Sequence, residues 1–308
     1  MTSLQKFKDL RTPLIAGLIA SLIPIALMAV QAWTVPPTLA FNNELMYDQF
    51  YYAANAREIF ERGNGFAYAN PYDPDPASPI IYAHLFPFLV GWLWKLTGLP
   101  IFSGYILIRL VFGMTLAVAI WLMAKELFQD KIQRKFALFC VLFTGGWSFF
   151  RGVVSTAKRL ITTGTSLAPM DFISDSIQRI RLYEGNSIWW LLNIFRNFFF
   201  ATETMYHALF FLTLVFLMKR RYAAAALGVM LSLYAHPFTG THVALVAVLC
   251  LLVNGLSDPK ERPTIRPWLW TMTLSLLAFL FYNFLWLPQF TAHRILMTVW
   301  QSKLWVIW

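Results

Sequence analysis

The chain has 308 residues, of which 58% are hydrophobic and only 13% charged, and its mean hydropathy is +0.56. A soluble domain carries about a quarter of its residues as charged side chains, so this balance excludes an ordinary soluble protein and points to a polytopic membrane protein. The formal net charge of +10 does not indicate nucleic acid as a partner, because the Lys and Arg residues gather in short clusters between apolar runs, as they do in cytoplasmic loops of membrane proteins.

Lys6, Lys8 and Arg11 precede an apolar run from Pro13 to Trp33. Its length of about 21 residues suits one crossing at 1.5 Å per residue, and it exceeds the apolar core of a cleaved signal peptide. The basic flank predicts a cytoplasmic N-terminus and an uncleaved signal-anchor span. An external loop over 34–101 follows. Its first part carries Glu44, Asp48, Glu58, Glu61, Asp73 and Asp75 against Arg57 and Arg62.

Within this loop Asn43–Arg62 reads as a helix stopped by Gly63 and Gly65. At 100° per residue Asp48, Tyr52, Asn55 and Ile59 share one face, and Glu58 and Arg62 are spaced to pair. The stretch "ANPYDPDPASP" is rich in turn formers and cannot be regular helix or central strand. The run 80–98 is apolar but contains His84, Pro87, Gly91 and Lys95. If it crossed, the basic cluster Lys125–Lys135 would fall outside, so it is expected to lie in the outer interface.

The crossings that follow are expected at about 102–124, 136–150, 202–218, 222–235, 238–254 and 267–287. With the first they make an all-α helical bundle of about seven spans, in one transmembrane domain over 1–308. Basic residues at Lys125–Lys135, Lys219–Arg221 and Lys260–Arg266 mark the inner ends, and 151–200 forms a second external segment. The chain ends at Trp308 inside an aromatic amphipathic stretch, which suggests the N-terminal part of a longer protein. Cys140 and Cys250 lie in apolar runs and read as small buried hydrophobes.

Glu203 and His207 are four apart at the start of an apolar run, where ionisable groups are costly unless paired or functional. His236 and His242 flank a turn expected at the same end. Imidazole with carboxylate suits zinc, so these residues, joined by His84, leave a divalent metal open; a hydrogen-bonded substrate or structural role is the leading reading.

The order of a signal anchor, "YDQFYYAANAREIFERGNG", "NPYDPDPASPIIYAHLFPFLVGWLWKLTG" and a span containing Arg109 resembles the GT-C superfamily of membrane glycosyltransferases, which includes the protein mannosyltransferases and aminoarabinose transferases. The resemblance covers about residues 10–130; beyond them it is one of topology. Many members carry an adjacent acidic pair, whereas Asp48 is followed by Gln49. The resemblance implies inverting transfer of a sugar from a polyprenyl-phosphate donor to a protein, lipid or glycan acceptor at the external face of the plasma membrane, in the making of the cell envelope. Asp48 would be the general base. Tyr52, Asn55, His84, Glu203, His207 and His236 would contact substrate, and Arg151 and Arg196, with Lys158 and Arg159, would steady the leaving phosphate. A reading from another class is a transporter or channel lined by Glu203, His207 and Arg109.

Overall fold

The structure, a computed structural model, describes residues 3–34, 49–71, 73, 75–143, 148–168, 171–172, 175–176, 198 and 200–304. Every regular element among them is helical, apart from one antiparallel bridge between Tyr68 and Tyr82. The helices are α1 (Ser3–Thr34), α2 (Gln49–Glu61), α3 (Leu85–Thr97), α4 (Ile101–Leu127), α5 (Lys131–Phe143) and α6 (Ser148–Thr163), then α7 (Ala201–Met218), α8 (Tyr222–Ala235), α9 (Pro237–Ser257), α10 (Arg262–Phe281) and α11 (Thr291–Leu304).

Among the described residues five segments are long and apolar enough to cross a membrane: Asp9–Ala26, Ile101–Leu127, Ala201–Met218, Pro237–Ser257 and Pro259–Gln289. Of the crossings expected from sequence, 136–150 and 222–235 are not among them. Helix α5 is described over 13 residues to Phe143, with 144–147 outside the described residues, and α8 has 14 residues. At 1.5 Å per residue α8 falls short of a hydrocarbon core of about 30 Å.

The helices turn apolar surface outward as a membrane protein does. Leu249, Leu256, Leu274, Leu277 and Phe281 are exposed along α9 and α10, while Ser21, Arg109, Thr213 and Ser232 are buried. The inward hydroxyls are satisfied locally: Ser21 donates to the carbonyl of Gly17, Thr213 to that of Leu209 and Ser232 to that of Gly228. Small residues let backbones approach. A Cβ on Gly113 of α4 would sit 1.9 Å from Ser21 Oγ of α1, and one on Gly17 would sit 2.7 Å from the Gly113 carbonyl oxygen. This is the close crossing that small residues four apart permit in lipid.

Helix α4 is central. It packs on α1, α3, α5 and α7, and α7 continues through α8 and α9 to α10. One apolar cluster joins α8, α9 and α10, a second joins α2, α3, α4 and α7, and a third joins α1, α4, α5 and α7. Lys125 pairs with Asp9 at 2.5 Å, Lys219 with Glu126 at 3.2 Å, and Arg220 with Glu261. These pairs bind the C-terminal ends of α4 and α7 to the start of α1 and the α9–α10 turn, so the basic clusters named from sequence meet at one end of the bundle. The helical parts of the first loop, α2 and α3, lie at the opposite end.

Helix α3 occupies the run expected to lie in the interface. It has 13 residues, too few to cross, and it stops at Gly98, whose φ of 69° a side chain would oppose. Helix α2 ends as its glycines predicted, and its last turn carries the expected pair of Arg62 with Glu58. Arg62 also donates to the carbonyls of Asn70 and Asp73, at 3.2 and 3.1 Å, and so ties the proline-rich turn to α2.

Candidate functional site

The bundle end that carries α2 and α3 gathers a set of aromatic, imidazole and amide side chains. Gln49, the first residue of α2, is 4% exposed, and Tyr105 of α4 donates its hydroxyl to the Gln49 carbonyl at 2.9 Å. Gln49 Nε2 in turn donates to Thr202 Oγ1 of α7 at 3.4 Å. One turn along α2, the Tyr52 ring lies 5.2 Å from that of His84. Asn55, three residues later, is wholly buried, and neither amide atom has a hydrogen-bond partner among the described residues.

Tyr206 of α7 stands between two histidines. Its ring centroid is 6.4 Å from His84 and 4.6 Å from His236, with which it stacks. His84 is the N-cap of α3, its Nδ1 accepting from Phe86 N–H at 3.2 Å. His236 is the N-cap of α9, its Nδ1 accepting from Thr239 N–H at 3.2 Å. A backbone N–H can only donate, so each Nδ1 is unprotonated and each neutral ring carries its proton on Nε2. Burial first, and then the neighbouring imidazole, lowers the His84 pKa from 6.5 to about 3. Burial and then His207 lower that of His236 from 6.5 to about 4. Protonation would also set an N–H against the capped N–H, so the caps and the shifts agree.

His207 is held the other way round. Its Nδ1 donates to the Glu203 carbonyl at 2.8 Å and lies 3.8 Å from the Glu203 carboxylate. A carbonyl can only accept, so Nδ1 carries a proton. Two imidazoles with Nε2–H donors therefore stand at the same end of the bundle as His207.

These tautomers bear on the metal left open by the sequence. A histidine that binds metal through Nε2 holds its proton on Nδ1 and donates it to an outer partner. His84 and His236 do the reverse. Among the described residues no group of three or more His, Cys, Asp or Glu is arranged to hold an ion. The donor set present does not fit a metal built on His84, Glu203, His207 and His236.

The structure thus brings together Tyr52, His84, Glu203, His207 and His236, with Asn55 on the helix that carries Tyr52. Asp48 and Arg196 lie outside the described residues. Arg151 falls in α6, and its side chain is likewise outside them. In the same region Lys158 is exposed and Arg159 pairs with Asp175 at 3.1 Å. The two turn acids are used by the backbone: Asp73 accepts from Asp75 N–H at 3.1 Å and Asp75 from Ala77 N–H at 2.9 Å. Sequence reasoning missed Gln49, Tyr105, Thr202 and Tyr206. The hydroxyl-bearing aromatics inside otherwise apolar runs were a usable signal for Tyr105 and Tyr206; nothing in the sequence marked Gln49 or Thr202.

A second, separate cluster lies beside this one. Tyr282, beyond α10, donates to the Ile81 carbonyl at 2.5 Å, and the Tyr82 hydroxyl lies 3.3 Å from His293 Nδ1 of α11. The last helical segments thereby pack on the Tyr68–Tyr82 bridge of the first loop. Compared with protein-family models, curated proteins and solved structures, the chain matches none.

Proposed function

We propose that the protein is an integral-membrane glycosyltransferase of GT-C type. It would move a sugar from a polyprenyl-phosphate donor to a protein, lipid or glycan acceptor at the external face, with inversion. Asp48 is the general base of this reading. A positioned carboxylate takes the acceptor hydroxyl's proton as the new C–O bond forms at the sugar C1, the bond from C1 to the phosphate oxygen breaks, and the lipid phosphate leaves. All seven crossings belong to the proposal, with α5 and α8 as the short ones and the N-terminus in the cytoplasm of the plasma membrane.

One observation carries the reading. The helix that follows Asp48 in the chain is anchored by Gln49 to α4 and α7, and its Tyr52 packs against the His84–Tyr206–His236 group. Polar and aromatic groups able to hold a sugar and a phosphate thus cluster beside the start of an extramembrane helix, at the end of the bundle away from the basic clusters. The turn acids Asp73 and Asp75 are engaged in backbone hydrogen bonds, and Glu58 and Glu61 in ion pairs with Arg62 and Arg57, which supports the resemblance's choice of Asp48 over these four loop acids. The test is release of polyprenyl phosphate from a polyprenyl-phosphate sugar by the purified protein in lipid nanodiscs with acceptor extract. Release above a protein-free control supports the reading, and none with any of several donor sugars refutes it.

The buried Arg109 in the first third of a candidate span favours a second reading. An intramembrane cation marks transport pathways, and a transporter would line its path with Arg109, Glu203 and His207. Substrate flux into proteoliposomes, without sugar transfer, would select it.

A further inference from the structure

Ser, Thr, Asp and Asn are the side chains that cap helix N-termini best. Two helices at this end of the bundle use histidine instead, and both capping rings pack on the same Tyr206. Capping needs only the acceptor at Nδ1. What histidine adds is a second polar atom on the far side of the ring, whose role the cap itself dictates. With Nδ1 accepting, Nε2 of the neutral ring can only donate. The cap therefore converts an ambiguous side chain into an uncharged donor of fixed sense, held by a rigid helix start.

We propose that His84 and His236 are a matched pair of uncharged hydrogen-bond donors for the oxygens of a phosphate group. This rests on the transferase reading and assigns the grip on its phosphate to residues other than the basic ones singled out from sequence. Several features favour a phosphate. Two donors of one sense suit a ligand that offers several acceptor oxygens and requires no acceptor in return. Hydrogen bonds to an ionised oxygen are stronger than neutral ones, so uncharged donors suffice for a useful grip. The pair also lies in the group that contains Tyr52. Buried amide atoms on the same helix, both on Asn55 and Oε1 of Gln49, have no partner among the described residues and are groups that a ligand would satisfy.

Amide substitutions separate the cap from the donor. An asparagine places its oxygen near the position of Nδ1 and keeps the cap, but does not reach as far as Nε2. A glutamine reaches that far with an N–H and gives up the cap. The full chain in nanodiscs is titrated with a short-chain isoprenyl phosphate, the corresponding isoprenol and inorganic phosphate, and unfolding is followed by tryptophan fluorescence. His236→Asn is expected to unfold with the wild type and to bind isoprenyl phosphate about tenfold to a hundredfold more weakly, the loss of one hydrogen bond to a charged group. His236→Gln is expected to bind within about threefold of wild type and to unfold a few degrees lower, as a lost cap requires. His84→Asn and His84→Gln repeat the comparison should one site not tolerate change. Isoprenol binding should not distinguish the variants.

Inorganic phosphate that competes as well as the isoprenyl phosphate would keep the phosphate assignment and make a free ion its source. If the Asn variants bind isoprenyl phosphate like wild type, the histidines are caps alone and the inference is overturned. It is overturned equally if isoprenol binds wild type as tightly as the phosphate does. Sugar transfer by the wild type together with unimpaired Asn variants defeats the inference and leaves the transferase reading standing. The Asn–Gln contrast without transfer does the opposite.

Discussion

Gly91→Ala tests the seat of the first-loop helices. Gly91 lies within α3, and a Cβ placed there would sit 2.5 Å from the Ala56 carbonyl oxygen and 3.3 Å from Phe60 Cε2, both of α2. Favourable non-bonded separations are about 3.5–4.0 Å, so the two helices must part by about 1 Å. The obstacle is backbone and cannot rotate aside. Overpacking of this kind costs about 1–3 kcal/mol, with a rigid neighbour at the upper end. Alanine in place of a mid-helix glycine returns about 1 kcal/mol, leaving a net loss of about 2 kcal/mol. The control is Gly255→Ala in α9, where the nearest atom to a new Cβ is Arg262 Cγ at 3.9 Å. There the helix preference acts alone and should stabilise. The assay is thermal unfolding of the two variants in the same detergent, together with sugar transfer. A lowered transition for Gly91→Ala beside a raised one for Gly255→Ala supports the close seating of α2 on α3. Two raised transitions would refute it.

The depressed pKa values of His84, about 3, and His236, about 4, give a signed pH dependence. Between about pH 6.5 and 3 the unfolded chain binds more protons at these sites than the folded one, so their contribution to stability is full above pH 6.5 and declines as pH falls through that window. Denaturant midpoints against pH should fall less steeply for His84→Asn and His236→Asn than for wild type, and equal slopes would contradict the neutral, buried rings. Cysteines at Ala77 and Leu96 should both react with an impermeant reagent added outside intact cells, and one at Ile132 only after permeabilisation. Labelling of Ala77→Cys and Leu96→Cys from opposite sides would mean that α3 crosses.

The helical bundle was legible because apolar runs and basic clusters obey length and charge rules that hold locally. The refusal of residues 80–98 to count as a crossing came from the charge at Lys125–Lys135, and the 13-residue α3 fits it. The end of α2 was legible in Gly63 and Gly65, and its Glu58–Arg62 pair in their spacing. The expected count of crossings was not legible at α8, whose 14 residues are too few to span alone, and the 136–150 run lies partly outside the described residues. Helical spacing brought Glu203 and His207 to one face, and depth brought His84 and His236 to the same end. It did not reveal that the latter two are caps, since a cap depends on the φ and ψ of a single residue. Gln49 and Thr202 meet across 153 positions of sequence, a pairing that only packing selects.

The most direct measurement for the central claim is turnover of a polyprenyl-phosphate sugar by the full chain carrying Asp48→Asn, beside Asp73→Asn and Asp75→Asn. The amide keeps shape and hydrogen bonding but cannot take the acceptor's proton, and a general base contributes roughly 10²–10⁴-fold. Transfer should fall by about that factor for Asp48→Asn, with isoprenyl-phosphate affinity retained, and change little for the two turn acids, whose carboxylates serve backbone N–H groups. Near-normal transfer by Asp48→Asn, or collapse on changing Asp73 or Asp75 instead, would contradict the assignment of Asp48 as the base.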